Sequence, residues 1–135
     1  MMLKNFRSIL LAALSLLAIS CGEKESVKVL ETADSFMDAF YKSDFESARR
    51  YSSAAMIDRL AQAESLIMSQ EAQIRDEIIA IGKETEFVRC EWNKDNDGLY
   101  RVTYDVMIPD EPTPSRVSIL VALCEEGIWK VEEVI

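Results

Sequence analysis

An α+β domain with its helices first and its sheet last is predicted by a change of hydrophobic period near residue 86. Between residues 27 and 81 apolar residues recur in steps of three and four, whereas from 86 to 135 they alternate in four runs separated by turn residues. The sheet so predicted has one strongly apolar face. Such a face needs a cover, and the N-terminal helices are the available material. The expected fold is three N-terminal helices packed on a curved four-stranded antiparallel sheet.

The first helix is expected to follow Ser26 as its cap, with Val29, Leu30, Ala33, Phe36, Met37 and Phe40 on one stripe. Ser43-Asp44-Phe45-Glu46 has the spacing of a capping box with Ser43 as N-cap, opening a short second helix to about Tyr51. Ser52-Ser53 ends it and caps a third, running from Ala54 to about Ile81. Its seam carries Ile57, Leu60, Glu64, Ile67, Glu71, Ile74, Ile78 and Ile81. A helix of that span would measure roughly 42 Å, long for this domain, so a bend or break is expected near Ser69-Gln70. Gly82 is a suitable C-cap.

Phe87–Trp92, Leu99–Ile108, Arg116–Cys124 and Ile128–Ile135 are the expected strands. Their short connections favour an antiparallel meander. Strict alternation puts Val88, Cys90, Trp92, Tyr100, Val102, Tyr104, Val106, Val117, Ile119, Val121, Leu123, Trp129, Val131 and Ile135 on the covered face. The other face mixes Arg89, Glu91, Arg101, Thr103, Asp105, Lys130 and Glu132 with Leu120, Ala122, Ile128 and Val134.

The start of the chain has a different character. Lys4 and Arg7 precede an apolar run from Ile9 to Ile19, small Ser20 stands before Cys21, and no acidic residue occurs before Glu23. This is the pattern of an export signal, too short to span a bilayer comfortably; a short uncleaved membrane helix is the alternative. Residues 1–20 are thus expected to be a signal peptide, 21–26 a cysteine and polar tether, and 27–135 one domain. The chain has 15 basic and 24 acidic residues. Without Lys4 and Arg7 the balance is 13 against 24, a net charge of −11, which argues against nucleic acid and anionic headgroups as partners. There is no histidine, hence neither the commonest metal ligand nor the commonest general base. No cofactor and no metal are expected. Cys90 and Cys124 fall in strands placed apart in the sheet, beyond disulfide reach, and are expected to be two buried thiols.

Two resemblances follow from particular residues. Leu17-Ala18-Ile19-Ser20-Cys21 resembles the lipobox of bacterial lipoproteins, with alanine where leucine is commonest. It implies that Cys21 is lipidated and becomes the first residue, anchoring the chain to a membrane. Gly22 in place of an aspartate leans the destination towards the outer membrane. Phe36-Met37-Asp38-Ala39-Phe40-Tyr41-Lys42-Ser43-Asp44-Phe45-Glu46-Ser47-Ala48 and the closing Glu126-Gly127-Ile128-Trp129-Lys130-Val131 resemble the nuclear transport factor two superfamily. Within it they are similar to domain-of-unknown-function lipoproteins with a lumazine-binding-like fold, over about residues 26–135. The resemblance implies a cone-like roll with a pocket at its open end. Some relatives are isomerases or dehydratases, but their acid–base residues have no counterpart here.

Candidate sites are therefore few. Glu64 and Glu71 lie on the helical seam, where neighbouring carboxylates could make a general acid or base, or could simply be solvated. Tyr100 and Tyr104 on the covered face, and Glu133 if it points inward, are candidate ligand contacts. Asn93–Gly98 has oxygen ligands spaced like the first half of a calcium loop, but Tyr104 stands where the closing glutamate is needed, so a hairpin turn explains it. Leu120, Ala122, Ile128 and Val134 are candidates for a homodimer through the outer sheet face. The expected function is a non-enzymatic ligand- or protein-binding domain on a lipid anchor in the cell envelope, with an envelope protein as a further partner. A cone enzyme using an acidic residue is the alternative.

Overall fold

The computed structural model describes residues 24–135; the leader and Cys21 lie outside the described residues. Among the described residues the chain is α+β, with four helices ahead of an open, four-stranded antiparallel sheet. Helix α1 spans residues 24–41, so residues 24–26 belong to the helix and not to a tether. Val29, Ala33, Phe36 and Met37 on its apolar stripe are fully buried, and Leu30 and Phe40 pack beside them.

Helix α2 is Phe45–Arg50. Its N-cap is Asp44, whose carboxylate accepts from the Ser47 amide at 3.2 Å. Ser43, expected as the cap, instead turns the chain with a φ of 58°. Helix α3, Ala54–Met68, is capped by Ser53 as expected, its hydroxyl accepting from Met56 N at 3.3 Å.

The long third helix is in fact two, because α3 ends at Met68 and α4 spans Ala72–Glu84. Side chains at the junction compete for the carbonyls of the last turn. Ser69 Oγ and Gln70 Nε2 both donate to Leu66 O, at 2.8 and 3.2 Å, which offers the backbone an alternative to continuing the helix. The buried side of α3 also differs from the expected seam. Leu60 is buried as expected, but Met56 takes the buried place expected of Ile57, which is exposed.

The strands are β1 Glu86–Lys94, β2 Tyr100–Met107, β3 Ser115–Leu123 and β4 Trp129–Val134, in meander order β1-β2-β3-β4. Two irregularities break the alternation. In β1, Arg89 pairs with Tyr104 and Glu91 with Thr103, leaving Cys90 as the extra residue of a bulge. Phe87 and Arg89 before it, and Trp92 and Lys94 after it, therefore share the covered face. Val88 and Cys90, expected inward, face away and are exposed; Cys124 is half-buried, and both thiols are free. In β4, Leu120 pairs with Glu133 and Val121 with Val131, leaving Glu132 as the extra residue. Val134 thereby turns into the core, and Glu133 and Ile135 turn out of it.

The core lies between α1 and the covered face, with Tyr104, Val102, Val106, Ile119, Val121 and Val131 fully buried. The free edge of β4 is covered by the link after α2. Val131 N donates to Tyr51 O at 2.7 Å and Ser53 N to Val131 O at 2.9 Å, which removes an edge open to aggregation.

Gly82 does not cap α4 but lies inside it. Its missing side chain lets α4 lie directly on the end of α1, for a Cβ there would overlap the Tyr41 carbonyl oxygen. Backbone atoms cannot swing aside like a flexible side chain. Gly82→Ala should therefore lower the unfolding free energy in urea by about 1–3 kcal/mol, despite alanine's better helix propensity. A more stable variant would refute this contact.

Candidate functional site

The covered sheet face carries two clasps of the same chemistry, each joining a tyrosine of β2, a carboxylate of α1 and a cation of β1. Tyr104 Oη donates to Asp34 Oδ1 at 2.6 Å, and Arg89 Nη1 donates to Asp34 Oδ2 at 2.8 Å. Nearer the start of α1, Tyr100 Oη donates to Glu25 Oε2 at 2.6 Å and Lys94 Nζ to the same oxygen at 3.0 Å. The bulge at Cys90 makes the pair possible, since residues 89 and 94 differ by an odd number and would otherwise face opposite ways.

Aromatic contacts surround both clasps. Tyr104 meets the edge of Phe87 at 5.6 Å, and Tyr100 lies between Trp92 at 5.7 Å and Trp129 at 5.2 Å. Burying a ring of roughly 200 Å² contributes about 5 kcal/mol before entropy is charged. A half-exposed ion pair such as Arg89–Asp34 contributes at most ~1 kcal/mol. The tyrosines thus dominate, and the cations orient the carboxylates. Burial pushes the Tyr104 hydroxyl far above its ordinary range, with the Asp34 hydrogen bond adding to it. Burial and the Glu25 hydrogen bond raise Tyr100 likewise. The hydrogen bonds from Tyr100 and then Lys94 hold Glu25 below its usual value.

At the other end of α1 a half-open cavity of about 240 Å³ lies beneath α4. Phe40 and Tyr41 from α1 and Phe45 from α2 form one side. Ala63 and Ile67 of α3, Ile78, Ile81 and Gly82 of α4, and Ile108 beyond β2 form the rest. Ser43 and Thr85 also reach the wall; the Thr85 hydroxyl is committed to Ile81 O at 2.7 Å. None of the lining residues is charged. Helix α4, which closes the outside, has no buried residue.

The carboxylates singled out by spacing stand elsewhere. Glu64 is ion-paired with Arg49 on the surface between α2 and α3. Glu71 occupies the N-cap position of α4, exposed and without a side-chain capping bond. Neither lines the cavity and nothing brings them together. Glu133, turned outward by the β4 bulge, lies opposite Leu120 with Arg59 at 3.9 Å. Tyr100 and Tyr104 do face inward, but their hydroxyls serve the clasps. Of Asn93–Gly98, Asn93 and Lys94 end β1 and Asp95–Gly98 form the hairpin turn, in which Asp95 Oδ1 accepts from Asp97 N at 2.9 Å and Leu99 N at 3.0 Å. Among the described residues no group of three acidic or cysteine side chains could hold a metal ion.

The cavity lining was not legible in advance because its residues come from four stretches far apart in the chain, 40–45, 63–67, 78–85 and 108. The one available signal was Gly82 in a run of isoleucines, a residue suited to close helix contact as well as to capping. Compared with protein-family models, curated proteins and solved structures, the chain matches none.

Tyr104→Phe leaves the ring in place and deletes its bond to a charged acceptor, so it should cost about 1.5–3 kcal/mol in urea unfolding. The pH dependence has a definite sign. Folded Tyr100, Tyr104 and Lys94 all hold their protons more tightly than the unfolded chain does. Their stabilisation is complete below about pH 10 and is lost as the pH climbs beyond it. Glu25 acts in the opposite direction, its contribution present above its ordinary value of 4.5 and lost on acidification. Urea midpoints measured across alkaline pH should fall less steeply for Tyr104→Phe than for the natural chain; equal slopes would discount the clasp.

Proposed function

We propose that this chain is a lipid-anchored cell-envelope protein whose domain is a non-enzymatic binding module for an apolar ligand or an apolar segment of an envelope protein. The observation that carries the binding half is the uncharged cavity of about 240 Å³ under α4. Ligand sites are typically concave and mostly apolar, with a few polar groups for orientation, and catalysis by an acid–base group would need one within reach of the ligand. Here Glu64 is paired with Arg49 and Glu71 is exposed outside the cavity, which favours binding over the isomerase or dehydratase alternative. Helices over one sheet face with a recess at one end also support the cone-like, nuclear transport factor two-like reading.

The anchoring half rests on the lipobox around Cys21. Among the described residues no helix is long and apolar enough to cross a membrane. The cavity lies at the C-terminal end of α1, roughly 27 Å along its 18 described residues from Lys24. Leu120 and Ala122, half-buried on the outer sheet face, offer a second copy some apolar area, less than expected because Val134 has turned inward.

Two measurements test the halves separately. The neutral fluorescent probe N-phenyl-1-naphthylamine should brighten on binding the natural chain, and Ile78→Glu, which puts a charge on the cavity wall, should weaken that binding at least tenfold. Probe binding unaffected by the substitution would remove the cavity from the function. Labelled palmitate should enter the natural chain and not Cys21→Ser; label in both would end the lipoprotein reading.

A further inference from the structure

Three hydroxyl-bearing residues line the cavity, Tyr41, Ser43 and Thr85. Among the described residues the hydroxyls of Tyr41 and Ser43 have no hydrogen-bond partner, whereas that of Thr85 is occupied. Ser43 sits in the left-handed region at φ 58°, a conformation that a residue other than glycine adopts at a cost and that is commoner at functional positions. It places a hydroxyl at the α1–α2 turn where glycine would be the easier choice. No cation lines the cavity to receive a carboxylate and no carboxylate lines it to receive an amine. The chain as a whole carries a formal charge of −9, which adds to the penalty for an anionic ligand.

Size narrows the occupant further. An apolar cavity of about 150 Å³ admits benzene, so one of 240 Å³ admits roughly nine or ten carbons. We infer that the ligand is a neutral aliphatic chain of about that length, headed by a hydroxyl or ester group that hydrogen-bonds Tyr41 and Ser43. This rests on the apolar-binding reading above and adds the class of ligand. The tail lies against Phe45, Ile67, Ile78 and Ile108, and α4, without buried residues of its own, is the wall that yields for entry. A charged head of the same chain length would be buried without a partner, which is expensive.

The test is competition for N-phenyl-1-naphthylamine on the mature chain carrying Cys21→Ser, which has no acyl groups of its own to fill the cavity. At neutral pH, 1-nonanol should displace the probe at a concentration at least tenfold lower than nonanoate. Lengthening the alcohol should strengthen displacement about fourfold per methylene, levelling off at about nine or ten carbons. Because an alcohol partitions into apolar sites better than a carboxylate in any case, head recognition is read from variants. Tyr41→Phe, and Ser43→Gly, which keeps the left-handed turn without its hydroxyl, should each cut the nonanol-to-nonanoate ratio roughly threefold to tenfold. Equal displacement by the two compounds, or a ratio unmoved by both substitutions, overturns the ligand class while the binding reading stands. A probe that fails to bind the natural chain at all brings down both.

Discussion

The β-bulge at Cys90 is the constraint on which the rest of the structure depends. One unpaired residue in β1 brings Arg89 and Lys94 to the same face of the sheet, where each meets a carboxylate of α1 already bonded to a tyrosine of β2. Without the bulge one of the two cations would point to solvent on the far face. The two clasps hold α1 at both Glu25 and Asp34, and so set where its other end, Phe40 and Tyr41, lies relative to the sheet. The bulge also interrupts an edge strand, while its lysine and arginine discourage edge-to-edge pairing.

The cavity follows from that placement. With the end of α1 fixed, Gly82 lets α4 come onto the Tyr41 carbonyl, and the break at Ser69–Glu71 lets α4 leave the line of α3 to do so. A continuous helix would have carried Ile78 and Ile81 away from Phe40 and Phe45. The domain thus separates two tasks. The start of α1 is tied firmly to the sheet, and its far end borders a recess whose outer wall is the least buried helix.

The same separation explains the fate of the polar candidates. Tyr100 and Tyr104 looked like ligand contacts because tyrosines on an inner face need hydrogen-bond partners; the partners proved to be Glu25 and Asp34 of the chain itself. Glu64 and Glu71 looked like a pair because the helical repeat aligned them. Glu64 pairs with Arg49, and the helix break leaves Glu71 exposed at the start of α4. The hydroxyls that matter, those of Tyr41 and Ser43, have no partner among the described residues; Tyr41 ends α1, and Ser43 lies in the following turn that spacing assigned to helix capping.

What the sequence determined by itself was set by local periodicity and turn chemistry. The helix-then-sheet order, the stripe from Val29 to Phe40, the Ser53 cap, the meander and a break near Ser69 all follow from neighbours within a few residues. What only the tertiary structure decided is parity and proximity. An extra residue at Cys90 or Glu132 leaves no mark on composition, yet it reversed the facing of Val88, Arg89, Glu133 and Val134. The cavity likewise joins α1, α2, α3, α4 and the end of β2, segments that no local spacing relates. Local patterns record which residues are apolar; only packing across the whole chain decides which of them meet.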